Sequence, residues 1–406
     1  MQAGKAAPPG AAASIDAIAI DVRSAPPWGI LEGGCAPLAV LIGKVEQMRV
    51  LFVTCLPYLP QGFRGAEVST HSLAIALRKR GLQVGVLAGL LAGDWLWFKN
   101  RVASKLRGVD LYTIDKFCGY PVFRGWGGTS GVPAVIDKFK PDIVLLQTCP
   151  LRTYSDLFVS FGLPVVICIR DATFWDGNLI EHPSLRYIAN SGFIANRLRR
   201  DFGIEAEIMT PLVFPERYRV HSTRERVLFV NPVEKKGLEI SLRLAEERPD
   251  IPFDFVECWE RDSVVRHSER VRRAKNIRWH KSQLDVRNFY ARAKLLLMPS
   301  QWEEAWGRVA TEAQLSGIPV LASRIGGLPE SVGPGGILVE PTAPLDDWLA
   351  ALSRMWDDKQ QYETLAQEAQ RYSQRPEIQP DLIVDRLVLS IMEHAGRGPR
   401  FPAAQN

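Results

Sequence analysis

The chain has 406 residues, enough for two domains with separate hydrophobic cores. Hydrophobic residues make up 46% and charged residues 23%, a globular balance, and the net charge of +5 permits a basic patch facing an anionic ligand or lipid without demanding one. The most apolar run, Val84 to Gly93, is broken by Asp94 and falls well short of the ~20 residues a spanning helix needs.

Residues 1–47 are rich in Ala, Pro and Gly and show neither a hydrophobic period nor the basic-then-apolar order of a signal peptide. They read as a disordered or non-native extension. Met48 is followed at once by Arg-Val-Leu-Phe-Val, the opening of a buried first strand. The six cysteines, Cys35, Cys55, Cys118, Cys149, Cys168 and Cys258, have no metal-like spacing, and a reducing cytoplasm is the simplest fit.

From Met48 the chain alternates strand and helix, which predicts parallel sheets covered on both faces. Arg49–Thr54 is the first strand, and residues 66–80 an amphipathic helix closed by Gly81. Strands follow at 83–87, 142–147, 165–169 and 187–189, and Ser191 is placed to cap a helix over 193–202. Trp95-Leu-Trp-Phe98 reads either as packed against the domain or as a surface-active loop. The basic run Lys99, Arg101, Lys105 and Arg107 beside it reads as a solvated helix face or as a contact for anionic lipid headgroups.

Around residues 218–224 the chain turns polar and a second series begins. Strands are expected at 227–230, 253–256, 277–279, 295–298 and 320–322, with a helix over 237–246. A helical tail runs over 345–394, interrupted at Pro376 and Pro380. The expected divisions are an amino-terminal domain at 48–220, a carboxyl-terminal domain at 221–375 and a final helix at 376–396, returning to the amino-terminal domain. The fold class is α/β, with two doubly wound Rossmann-like domains facing across a cleft. Ligands of such sheets bind beyond the carboxyl ends of the strands. The first strand-to-helix turn, residues 55–65, lacks the G-x-G-x-x-G spacing and is too long for the tight dinucleotide turn, which argues against a dehydrogenase.

The most informative block is Glu304-Ala-Trp-Gly-Arg-Val-Ala-Thr-Glu312, two carboxylates separated by seven residues. It follows the strand Leu295–Met298 and precedes Gly317-Ile-Pro-Val320 and the turn Gly326-Gly-Leu-Pro-Glu330. A strand ending in a loop carboxylate and a Gly-opened helix is a cradle for an anionic ligand. Spacing alone would fit two solvent-facing glutamates, but the whole order of strand, loop, helix and Gly-Gly turn is far more specific. Together with Arg64-Gly-Ala-Glu67, Lys140-Pro-Asp-Ile-Val144, Asn190-Ser-Gly-Phe-Ile194 and the lysine loop ending at Lys236-Gly237, it resembles family 4 of the retaining glycosyltransferases. These are group 1 glycosyl transferases of the two-Rossmann-domain GT-B fold, and the resemblance covers residues 48 to about 395.

That resemblance implies a nucleotide-sugar donor, a hexosyl-type transfer in carbohydrate biosynthesis with retention at the anomeric carbon, and no cofactor or metal. Lys236 would neutralise the departing diphosphate and Glu304 would contact hydroxyls of the transferred sugar. Glu312 would accept hydrogen bonds from the ribose. Gly65 would let the first loop approach the diphosphate. Backbone N–H groups near Trp306, Gly307 and Arg308 would meet phosphates and sugar, and Gly326 and Gly327 would close over the donor. The chain departs from the family in three places. Asn231-Pro232 stands where Gly-Arg is usual, Arg64-Gly65 replaces a Gly-Gly, and Arg170, followed by Asp171, replaces a histidine. Arg308, Arg170 or Arg64 would then supply the missing charge, although Arg170 and Asp171 could simply pair with each other. These departures also leave two alternatives, a degenerate nucleotide-sugar-binding protein and a nucleotide-sugar epimerase. The acceptor, whether saccharide, lipid-linked or small-molecule, is not legible. Peripheral contact with the inner face of a membrane is admitted, and a nucleic-acid partner is not expected.

Overall fold

The computed structural model describes residues 48–62, 65–107, 112–125, 128–172, 179–258, 269–271, 273–283 and 285–396. The readings made for residues 1–47 and for Arg64 lie outside these.

In the amino-terminal part, the strands β1 (Arg49–Pro57), β2 (Gln83–Gly89), β3 (Tyr112–Asp115), β4 (Val122–Gly125), β5 (Ile143–Leu146), β6 (Val165–Ile169), β7 (Leu185–Ala189) and β8 (Glu207–Ile208) form one sheet. It has eight strands in the order β3-β4-β2-β1-β5-β6-β7-β8. All neighbours are parallel except β3 and β4. The central strands read as unbroken apolar runs because both faces are covered. Every residue of β5 and β6 is buried. One face packs on the helix α1 (Gly65–Lys79), which contributes Leu73, Ala74, Ala76 and Leu77. The exposed helix α2 (Trp95–Arg107) follows β2, and α3 (Val132–Phe139), α4 (Leu151–Ser160) and α5 (Gly192–Phe202) cover the other face. Ser191 caps α5 by accepting from the Ile194 N–H at 3.1 Å, and Gly203 ends the helix in the left-handed region.

The carboxyl-terminal part builds a six-stranded parallel sheet from β9 (Arg226–Val230), β10 (Phe253–Val256), β11 (Ile277–His280), β12 (Ala293–Met298), β13 (Val320–Ser323) and β14 (Gly336–Val339). The spatial order is β11-β10-β9-β12-β13-β14, that is 3-2-1-4-5-6 counted within the domain. The order reverses between β9 and β12, so these neighbouring strands feed loops that diverge to opposite sides. The helices α6 (Leu238–Glu247), α7 (Arg308–Gln314), α8 (Leu328–Val332), α9 (Leu345–Trp356) and α10 (Lys359–Tyr372) accompany it. The last helix, α11 (Pro380–His394), buries Ile383, Val384, Leu387, Val388, Ile391 and Met392 in the core shared by α1 and the first sheet. Ion pairs from Arg80 to Asp381 and Asp385, and from Arg186 to Glu393, fix its register there.

Three expectations need correction. Trp95–Phe98 is not a loop but the first turn of α2, because the Asp94 carboxylate accepts from the Trp97 N–H at 2.8 Å and starts a helix there. Its packing is divided, for Leu96 is buried whereas Trp95 and Phe98 are 69% and 66% exposed. The helical tail has an additional break at residues 357–358, where Asp358 caps the next helix by accepting from the Gln361 N–H.

Candidate active site

The lysine loop follows β9 and the carboxylate loop follows β12, and these strands are hydrogen-bonded neighbours at the reversal of strand order. That adjacency brings Lys236 and Glu304 together although 68 residues separate them: the Lys236 ammonium donates to Glu304 Oε1. The same oxygen accepts from the Ser300 hydroxyl at 2.9 Å. The loops are also tied through their backbones, the Gln301 N–H donating to the Lys235 carbonyl at 2.9 Å.

Two glycines set the floor. Gly307 opens α7 at φ +87°, and a Cβ there would lie 2.4 Å from Leu328 Cδ2. Gly326 has φ +58°, and its Cβ would meet the Glu304 carbonyl at 2.4 Å. Side chains are excluded at both by conformation and by space. The Gly326-Gly327 turn is therefore pressed against the backbone of residues 304–306, and the Gly327 N–H donates to the Glu304 carbonyl at 2.6 Å. Gly65 differs, for a Cβ there would meet nothing within 4 Å.

Glu312 is buried one and a half turns into α7. Tyr290 donates its hydroxyl to Glu312 Oε2 at 2.8 Å, and Arg308 Nε lies 2.8 Å from Oε1. Burial pushes the carboxyl above the usual range, opposed by the Arg308 charge. Arg308 reaches further. It donates to the Tyr218 hydroxyl at 2.5 Å and to Ser69 on α1 at 2.8 Å, so one guanidinium touches both domains. Arg170, at the end of β6, donates to Thr70, the next residue of α1, at 3.2 Å. No ion pair joins it to Asp171. Burial lowers the Arg170 pKa, and the nearby Arg308 charge adds to this.

These groups surround a cavity of about 280 Å³ between the two sheets. Gly65 and Ser69 line one wall and Arg170 another, and Glu304, Trp306, Gly307 and Arg308 close it from the carboxyl-terminal side. Lys236 and Glu312 stand behind this lining, bonded to Glu304 and paired with Arg308. Asp171 is not among the lining residues. Two contributors carry no sequence signal of their own. Tyr290 and Tyr218 hold Glu312 and Arg308 from segments without a motif. Glu330 is the other surprise. Its carboxylate accepts from the Gly192 and Phe193 N–H groups at 2.7 and 2.6 Å, so the end of the Gly-Gly turn clasps the start of α5 in the opposite domain.

Asn231 has φ +62°, a left-handed backbone that asparagine tolerates better than most side chains. A glycine, which the resemblance leads one to expect there, would adopt this backbone without strain. Its amide is buried with neither atom hydrogen-bonded.

Two doubly wound sheets with a ligand-sized cavity between them define the GT-B architecture. Comparison with solved structures gives the same fold: sucrose-phosphate synthase from Thermosynechococcus elongatus superposes with a TM-score of 0.67 at 15% identity, covering 85% of this chain and 98% of that one. Anabaena Alr3699/HepE in complex with UDP and glucose gives 0.64 at 18% identity, covering 85% and 100%. Residues 214–372 match the family Glycosyl transferases group 1, so the carboxyl-terminal half carries a group 1 glycosyl transferase domain. Curated relatives include the D-inositol 3-phosphate glycosyltransferase of Corynebacterium kroppenstedtii, 39% identical over 93 residues, which are 22% of this chain and 20% of that one. The enzyme of the same name from Paenarthrobacter aurescens is 26% identical over 189 residues, 42% and 46% of the two chains. The chain thus matches less than half the length of these relatives.

Proposed function

We propose that this protein is a glycosyltransferase that moves a hexosyl group from a nucleotide-diphosphate sugar to an acceptor hydroxyl, with retention and without a metal. The observation that carries the reading is the meeting of Lys236 and Glu304 at the strand-order reversal, beside a cavity whose opposite wall is Gly65 and Ser69. In this reading the anomeric C–O bond to the diphosphate breaks and the acceptor oxygen bonds to the same face of the sugar. The acceptor proton passes to the departing phosphate oxygen. Lys236 stabilises the charge developing on the diphosphate, and Glu304 orients the sugar hydroxyls. The Glu312 carboxylate exchanges its Tyr290 hydroxyl and Arg308 partners for the ribose hydroxyls. Trp306, Gly307, Arg308, Gly326 and Gly327 form the donor cradle, with Gly65 facing the diphosphate.

Arg170 and Arg308 replace the phosphate-binding arginine that Pro232 displaces. They converge on adjacent residues of α1 near its amino-terminal end, where the helix dipole adds positive potential. The solved neighbour complexed with UDP and glucose makes UDP-sugars the first donors to test. The acceptor is a saccharide, a lipid-linked sugar or a small molecule such as the inositol phosphate named for the relatives. Release of nucleoside diphosphate from a UDP-sugar, dependent on added acceptor and abolished in Lys236→Ala, tests the reading. Turnover without acceptor would point to an epimerase or hydrolase instead. Nucleotide binding with no turnover under any acceptor would leave a binding protein.

A further inference from the structure

The helix α2 carries the two most exposed large apolar side chains among the described residues, Trp95 at 69% and Phe98 at 66%. Val102 on the same face is 42% exposed, and Leu91, just before the helix, 53%. The spacing 95, 98, 102 puts the three helix residues on one stripe, while Leu96 and Asn100 turn inward. Such a contiguous apolar face is costly to leave in water and marks an interaction surface.

The charge pattern says what covers it. From Trp95 to Arg107 the helix contains four basic residues and no acid. Lys99 and Lys105 are exposed beside the apolar stripe, and the Lys99 ammonium lies 5.0 Å from the Trp95 ring centroid. The one acid beside the ridge, Asp94 at the start of the helix, has its carboxylate bound to the Trp97 N–H and to Gln61, and an apolar aromatic ridge flanked along the helix by cations is complementary to a bilayer interface bearing anionic headgroups. A face of a second copy of this chain offers no such excess of negative charge, since the chain is itself net positive.

The start of the helix is braced to the loop that follows β1. Gln61, in the loop after β1, donates from Nε2 to the Leu91 carbonyl at 2.9 Å and to the Asp94 carboxylate at 2.9 Å. The Leu91 N–H returns a bond to Gln61 Oε1 at 3.1 Å. We infer that α2 docks the protein on an anionic membrane surface, with Trp95, Phe98 and Leu91 entering the interface and Lys99, Arg101 and Lys105 meeting phosphate headgroups.

The test is cosedimentation of the full chain with vesicles of phosphatidylcholine plus phosphatidylglycerol, against pure phosphatidylcholine. The wild type is expected to pellet with the mixed vesicles and to be released by high salt. Lys99→Glu with Arg101→Glu should weaken partitioning about thirtyfold or more. Trp95→Ser with Phe98→Ser should weaken it about tenfold or more, while circular dichroism and the nucleotide-induced thermal shift stay as in the wild type. Wild type remaining in the supernatant, or variants that pellet equally well, would overturn the inference. So would a wild-type dimer that dissolves in the Trp95→Ser, Phe98→Ser variant without any vesicle binding, which would assign the face to self-association. Because the thermal shift is read separately, failure here leaves the donor reading standing, and the converse holds.

Discussion

The two sheets use their carboxyl ends differently. In the carboxyl-terminal domain, the loops after β9 and β12 place Lys236 and Glu304 in direct contact, and α7 adds Arg308 and Glu312 within one turn of each other. The charged groups there are few and mutually paired. The amino-terminal domain answers with backbone and single side chains: Gly65 facing open space, Ser69 and Thr70 receiving the two arginines, and Arg170 held by one hydroxyl. Its distinctive surface lies away from the cavity lining, on α2. In the proposed reading, the first of these domains would hold the charged donor, while the other would supply a wall and a point of attachment.

The largest effect should come from breaking the charged side of this contrast. Lys236→Ala is expected to lower kcat by about 10²–10³-fold with little change in melting temperature, checked by release of nucleoside diphosphate. A variant at Gly65 sharpens the same contrast. Gly65→Val fills open space, so it should fold normally and yet weaken donor binding, as measured by KM.

The buried titrating groups of the two domains have opposite signs. His71 is buried in the first core, its Nδ1 2.7 Å from the Tyr120 hydroxyl, and burial lowers its pKa to about 4. A depressed folded-state pKa gives stability that is present above the ordinary histidine value and lost as pH falls through the folded one. Acid melts between pH 6.5 and 4 should therefore lose roughly 3 kcal/mol in the wild type, and less in His71→Gln. Glu312 has a raised folded-state pKa, so its contribution is present below the ordinary carboxylate value and lost as pH rises through the raised one. Glu312→Gln should flatten that segment of the stability profile. In the proposed reading ribose hydroxyls would donate to the ionised carboxylate, so nucleotide affinity should fall in acid at a pH above the ordinary carboxylate range, as titration calorimetry would show.

Glu330 joins the domains, so Glu330→Ala tests whether they act as a unit. Losing a carboxylate that receives two backbone N–H groups should cost about 1–3 kcal/mol and increase the radius of gyration in small-angle scattering. The smallest effect is at Asn231, where glycine should stabilise by up to about 1 kcal/mol in denaturant melts and alanine should destabilise.

Strands such as Val165–Ile169 and Phe253–Val256 were legible because parallel strands buried on both faces are continuous apolar runs. Ser191 was legible as a cap because its pairing is local. The short strands β3 and β4 were not, since Arg124 interrupts the apolar pattern and is buried by pairing with Asp115 and donating to the Tyr58 and Leu59 carbonyls. The aromatic start of α2 is hard to read as helix because four consecutive apolar residues, Trp95 to Phe98, mask the period that Trp95, Phe98 and Val102 carry. In the site, the order of the motifs and the resemblance they carry pointed to Glu304, Glu312 and Lys236, whereas Tyr290, Tyr218 and the reach of Glu330 to α5 depend on packing between distant segments. No periodicity encodes that.

The central claim is that the carboxyl-terminal domain holds a nucleotide with its ribose at Glu312. Thermal unfolding of wild type and Glu312→Gln with UDP, GDP and ADP tests it most directly. A ligand at ~100 times its dissociation constant should add roughly 2.7 kcal/mol. One nucleotide raising the wild-type midpoint, with the rise lost in the variant, is the predicted result. An equal rise in both proteins, or no rise with any of the three, would contradict the account.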